Sequence, residues 1–172
     1  MVADIAQFLT IRSMQAFVNG HDWVWPVCEM IHYAGMSLLI GIVGALDLRM
    51  LGLFKSIPIG ALRPLVPWAV VGFFGNLLTG IVFVTGTSSG AIFYIDNLSF
   101  QLKVLFMLLA FANLMIFQFS GLERAVYATP AGGNAPAAAK AIAAVSLVSW
   151  VLVICFGRLL MYNDTLLLLL GM

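Results

Sequence analysis

Two ionisable residues near the start of the first apolar stretch have the types and spacing needed to bind a metal or a haem group. Glu29 and His32 are three positions apart, so they would share one face of a helix. An imidazole is a good ligand for copper and for haem iron. The sequence contains one other histidine, His21, which limits any multi-histidine metal site built from a single chain.

A second pattern overlaps the first. Cys28, His32 and Met36 follow one another at intervals of four residues, so they would lie on nearly the same helix face. Thiol, imidazole and thioether groups are soft ligands that suit copper(I). The Glu-x-x-His pair also occurs in carboxylate-bridged metal sites, but these need a second such pair, and the sequence has none.

The composition decides the environment of these residues. Of 172 residues, 63% are hydrophobic and 9% are charged. Soluble domains carry about 25% charged residues, and a soluble fold of this size could not bury so much apolar surface. The sequence therefore predicts that a lipid bilayer is the solvent. The net charge of +1 argues against a nucleic-acid partner.

Four apolar stretches are long enough to cross a bilayer, which takes about 20 mostly apolar residues. They cover residues about 27–46, 68–85, 102–121 and 141–161. We therefore predict an all-α fold, a polytopic four-transmembrane-helix bundle that forms a single domain over residues 1–172. Residues about 3–18 have apolar side chains at helical spacing and are predicted to form an interfacial helix or, equally well, a cap on the bundle.

Charged residues in the loops predict the orientation. The first and third connections hold five of the eight lysine and arginine residues: Arg49, Lys55, Arg63, Arg124 and Lys140. The positive-inside rule places these connections in the cytoplasm, so both termini are predicted to be extracytoplasmic.

In this orientation, polar residues of all four helices fall near the extracytoplasmic face. They are Glu29, His32, Thr79, Thr85, Lys103, Arg158 and Tyr162. Ionisable groups within a membrane are costly and usually functional. The structural alternative is that the cations reach the lipid headgroups, or that the charges form a network that fixes the helix register.

Five motifs occur in order along nearly the whole chain. They are W-x-W-P-x-x-E-x-x-H at 23–32, G-x-x-x-x-x-D-L-R-x-L-G at 41–52, P-W-A-x-x-G-F at 67–73, F-Q-x-K at 100–103 and G-R-x-x-x-Y at 157–162. The pattern resembles a bacterial family of four-helix membrane proteins that brings no established activity. The resemblance implies a location in the bacterial inner (cytoplasmic) membrane.

A more distant resemblance concerns an early-helix histidine and a lysine that opens a later helix. In this respect the chain is similar to the membrane-helix protoporphyrinogen oxidase, which is associated with haem, and to the copper-resistance D-like membrane domain. His32 and Lys103 are the corresponding positions. The resemblance implies a shared scaffold rather than a shared reaction.

Three functional interpretations follow. In the first, an electron-transfer protein binds haem b through His32; Lys103 and Arg158 neutralise the propionates, and Glu29 or Tyr162 donates or accepts supporting hydrogen bonds. In the second, a copper-handling protein binds the metal through Cys28, His32 and Met36. In the third, a cofactor-free accessory subunit or small-ligand-binding bundle uses the charges structurally. Glycine-lined helices favour association with a second copy or with a membrane partner subunit.

Overall fold

The computed structural model describes residues 11–169 and residue 171, and within them it contains helices and no strand. The α-helices are α1 (Arg12–Asn19), α2 (Val24–Leu51), α3 (Val66–Gly86), α4 (Ile92–Ile95), α5 (Leu98–Phe119), α6 (Leu122–Tyr127), α7 (Ala137–Leu159) and α8 (Asn163–Leu169). Two 3₁₀ helices, Ile59–Leu65 and Leu160–Tyr162, precede α3 and follow α7. The predicted all-α fold is confirmed.

Four helical segments are long and apolar enough to cross a membrane: Val24–Leu51, Ile59–Gly86, Leu98–Phe119 and Ala137–Tyr162. Large apolar side chains such as Phe74, Leu78 and Leu108 are exposed on their outer faces, as expected for surfaces that contact lipid. The chain is therefore a multi-pass membrane protein.

All four spanning helices begin a few residues earlier than predicted, and the first also ends later. The first was predicted to end at about residue 46, where polar residues begin, but α2 continues to Leu51. Asp47 and Arg49 lie within this extension and are buried by the neighbouring elements. Gly52 then ends the helix in the left-handed conformation (φ 106°), which glycine adopts without a steric penalty.

The helices pack in the order α3–α2–α7–α5, and α3 shares no extensive contact with α5. The crossing of α2 and α3 is very close at Gly35 and Gly72. A Cβ atom at Gly72 would lie 2.5 Å from the Gly35 carbonyl oxygen, and one at Gly35 would lie 2.7 Å from that of Gly72. Only glycine at both positions allows the two backbones to approach so closely.

Helix α1 is held against the end of α3. The Gln15 side chain donates a hydrogen bond to the Thr87 carbonyl (2.7 Å), and Asn19 donates one to the Gly86 carbonyl (3.3 Å). Val18 is buried against Gly86. This agrees with a cap on the bundle for residues 12–19; the start of the predicted helix, residues 3–10, lies outside the described residues.

The bundle has two unlike ends. One end contains the start of α2, the end of α3, the start of α5 and the end of α7, and we call it the His32 end. The opposite end of the bundle is called the Arg49 end. The main hydrophobic core lies at the Arg49 end and consists of Leu46, Met50, Ile59, Phe117, Val126, Ala135, Ala139 and Ala143.

Candidate functional site

His32 is half-buried between α2 and α3 and is held by a hydroxyl of the neighbouring helix. Its Nδ1 atom lies 2.8 Å from Oγ1 of Thr79, a buried residue. The Thr79 hydroxyl itself donates to the Gly75 carbonyl at 2.8 Å, one helical turn earlier. When the single hydroxyl hydrogen of Thr79 is directed to Gly75, Oγ1 accepts from His32, and Nδ1 carries the imidazole hydrogen. The backbone carbonyl of Asn76 lies 3.2 Å from the Thr79 hydroxyl and is a second hydrogen-bond acceptor beside the imidazole.

This tautomer determines what His32 can do chemically. With its hydrogen on Nδ1, the imidazole keeps an unshared electron pair on Nε2, and Nε2 has no hydrogen-bond donor facing it among the described residues. Metal-binding histidines use the same arrangement: one nitrogen is fixed by a protein acceptor, and the other is left for the metal. His32 is therefore ready to act as a ligand or as a proton acceptor.

Aromatic side chains cover one side of His32. The Phe83 ring lies 5.4 Å from the His32 ring, and the Trp25 ring lies 5.0 Å from Phe83, both measured between centroids. The Trp25 indole N–H donates a hydrogen bond to Glu29 at 3.0 Å. Glu29 thus shares the His32 face of α2 and is oriented by an aromatic residue one turn earlier.

Lys103 approaches the site from α5. The start of α5 is tied to the end of α7 by Asn97, which accepts a hydrogen bond from the Phe100 N–H (3.2 Å) and donates one to the Leu160 carbonyl (2.9 Å). This anchoring places the Lys103 side chain beside Gly157 of α7. A Cβ atom added at Gly157 would lie 3.6 Å from Nζ of Lys103.

The ammonium group of Lys103 has no counter-ion in the part of the chain that the structure describes. The ion pair found there joins Arg63 to Glu123 at the other end of the bundle. Lys103 also makes no side-chain hydrogen bond among these residues, and it is close enough to His32 for its charge to act on the imidazole. A cation and an available imidazole nitrogen therefore occur together at the His32 end.

Tyr94, on the short helix α4, lies near Glu29. Burial raises the pKa of the Tyr94 phenol, and the negative charge of Glu29 raises it further. The connection between α3 and α5 therefore brings a phenol to the site, in addition to the groups on the spanning helices.

The other predicted site residues are more scattered. Arg158 and Tyr162 are exposed and contact each other, with the guanidinium carbon 5.7 Å from the ring centroid. Cys28 and Met36 are half-buried on the His32 side of α2, whereas Cys155 is exposed. No group of three or more histidine, cysteine, aspartate or glutamate residues that could hold a metal is found among the described residues.

Two residues near the site were not predicted from the sequence. Asn76 carries a buried side-chain oxygen to which none of the described residues donates a hydrogen bond, and it lies beside Gly35 at the α2–α3 crossing. An amide in the middle of an apolar stretch was a usable signal for it. Tyr94 gave no comparable signal, because it lies in a connection whose short helix was not predicted.

Comparison of the chain with protein-family models, with curated proteins and with solved structures gives no match. What the chain does is therefore inferred from the geometry of the His32 end.

Proposed function

We propose that this chain is an integral membrane protein with a haem- or metal-associated redox site at His32. The observation that supports this most strongly is the imidazole held between α2 and α3, with Nδ1 at Thr79 and no partner for Nε2 in the described part of the chain. An imidazole that only stabilises the fold would be expected to satisfy both nitrogens, since unpaired polar atoms are costly in a bilayer.

The cofactor that we propose for this site is a haem group held by a single histidine. His32 would hold the iron, and the ammonium of Lys103, which has no counter-ion among the described residues, would pair with a propionate carboxylate. When bound, haem iron would supply one-electron chemistry.

The protein's own groups have separate roles in this proposal. Thr79 fixes the tautomer and the orientation of His32. Phe83 and Trp25 keep water away from one side of the imidazole. Lys103 compensates an anionic group, and Glu29 and Tyr94 provide hydrogen-bonding groups at the outer edge of the site.

A copper-handling protein is the second candidate. The observation that favours it is that Cys28 and Met36 are half-buried on the same side of α2 as His32. Since Cys155 is exposed, α7 adds no thiol to this set, and all three ligands come from one helix. In the third candidate, a cofactor-free accessory subunit, the same charges would serve the packing of the bundle.

The proposed setting is the bacterial inner membrane with both termini extracytoplasmic, which places the His32 end at the extracytoplasmic face. The basis is the excess of lysine and arginine in the first and third connections, together with the motif resemblance. A cysteine introduced in residues 129–136 should resist membrane-impermeant thiol reagents in whole cells, whereas labelling from outside would reverse the orientation.

The direct test is the visible absorption spectrum of the detergent-purified protein, oxidised and dithionite-reduced, with metal analysis of the same sample. A Soret band at about one haem per chain, lost in His32→Ala and kept in His21→Ala, would support the haem proposal. Bound copper without colour, lost in Cys28→Ser, would favour the copper alternative. No colour and no metal, in protein purified from haem-replete cells, would contradict both.

A further inference from the structure

The Arg49 end presents three cations that have no carboxylate partner among the described residues. Its basic residues are Arg49, Lys55, Arg63, Arg124 and Lys140, and its acidic residues are Asp47 and Glu123. Asp47 is buried, and Glu123 pairs with Arg63 at 3.7 Å. Lys55, Arg124 and Lys140 have no carboxylate within ion-pair distance in the region the structure describes.

The loop that carries Lys55 is held in a defined shape. Arg49 donates from Nε to the Ile57 carbonyl and from its other nitrogens to the carbonyls of Pro130 and Gly133. The Gly132 N–H donates to the Lys55 carbonyl at 2.7 Å. The 52–58 and 128–136 segments are thereby joined into one unit.

Within this unit, apolar side chains are exposed beside Lys55. Leu53, Phe54 and Ile57 are 48%, 63% and 41% exposed. Phe54 has a positive φ of 51°, a conformation that bulky residues rarely adopt and that the surrounding contacts must hold. An exposed apolar group at the end of a spanning helix is favourable when it enters the lipid, so this loop suits the membrane interface.

The combination of cations without a carboxylate partner and exposed apolar side chains indicates what kind of molecule the Arg49 end would bind. The cations suit a phosphate, and Leu53, Phe54 and Ile57 suit the acyl and glycerol region that adjoins it. A soluble anion would leave the three apolar side chains in water. We propose that the Arg49 end binds anionic phospholipids through Lys55, Arg124 and Lys140, with the 53–57 loop inserted among them.

The test offers the purified protein phosphatidylglycerol and phosphatidylcholine in equal amounts and measures the bound lipids by native mass spectrometry. We expect the wild type to prefer phosphatidylglycerol. In the double variant Lys55→Gln/Lys140→Gln, this preference should fall about fivefold for each cation that is removed. Arg12→Gln is the matched control, because it removes one exposed cation from α1 at the His32 end and should keep the preference.

Two further measurements separate the binding of a phospholipid from the binding of free phosphate. Phe54→Ser should weaken phosphatidylglycerol binding without changing the charge, and inorganic phosphate should not displace the lipid. Equal binding of the two lipids by the wild type, an unchanged preference in the double variant, or displacement by inorganic phosphate would overturn the proposal. Melting temperatures measured without added lipid verify that every variant is folded.

Discussion

The two ends of the bundle use ionisable residues in opposite ways. Arg49 is 1% exposed, and three backbone carbonyls from two loops accept its hydrogen bonds. His32 and Lys103 are only half-buried, and within the region that the structure describes Nε2 of His32 and the ammonium of Lys103 have no hydrogen-bond or ion-pair partner. A buried charge whose three nitrogens all donate hydrogen bonds stabilises the fold, whereas a partly buried group with a free atom is available to a ligand.

Asp47 lies at the Arg49 end but departs from this rule. It is 3% exposed, and one of its carboxyl oxygens has no hydrogen-bond partner among the described residues. Its neighbour Arg49 is directed to carbonyl groups instead. Proximity in sequence therefore does not pair the two charges.

The largest effect should come from breaking the Arg49 contacts. Arg49→Met leaves the carbonyls of Ile57, Pro130 and Gly133 without their donor. We expect a loss of about 3–5 kcal/mol in the free energy of unfolding. Arg49→Lys should be intermediate, since an ammonium cannot reproduce the planar fork. Thermal unfolding in detergent measures both, and a wild-type melting temperature for Arg49→Met would show that these contacts are dispensable.

The close crossing of α2 and α3 gives the next effect. Gly72→Ala would place a methyl group 2.5 Å from the Gly35 carbonyl oxygen, which should cost about 1–3 kcal/mol of stability and displace His32 from Thr79. Gly80→Ala, on the same helix, meets nothing within 4 Å and should be neutral or slightly stabilising. Equal melting temperatures for the two variants would refute the tight crossing.

Loss of the hydroxyl that holds His32 should have a smaller and more local effect. Thr79→Val removes the acceptor of the Nδ1 hydrogen bond, worth about 1 kcal/mol, so ligand affinity should fall about fivefold. Thr85→Val is the control, because Thr85 also lies on α3 but bonds only the Ile81 carbonyl. Titration of the apoprotein with haemin compares them; equal affinities would mean that Thr79 does not orient the imidazole.

The smallest effect concerns Tyr94. Because the negative charge of Glu29 disfavours the phenolate, Glu29→Gln should lower the pKa of Tyr94 while leaving it above the ordinary value through burial. Tyr127, whose pKa is raised by burial and by Glu123, should not respond. Ultraviolet titration of single-tyrosine variants follows each phenol. An unchanged Tyr94 titration would mean that Glu29 does not act on it.

The sequence predicted the all-α class and the four spanning helices, because each span is a long apolar run. The sequence placed the end of the first helix too early, because charged residues such as Asp47 and Arg49 are typical of the end of an apolar span. In the structure both are buried by tertiary contacts, and the helix continues to Leu51. The sequence predicted that His32 and Lys103 lie at one depth. It did not predict that Thr79 faces His32, because spans that are apolar on nearly all sides do not reveal helix rotation. The positions of Tyr94 and Asn76 also depend on tertiary packing.

The proposed function depends above all on Nε2 of His32 being the ligand atom of this protein. The Soret absorbance per chain of His32→Gly, measured with and without added imidazole, probes that atom alone. We expect the band to be lost in the variant and to be restored by imidazole, which can diffuse into the space left by the side chain. A full Soret band in His32→Gly without imidazole would show that another group binds the haem.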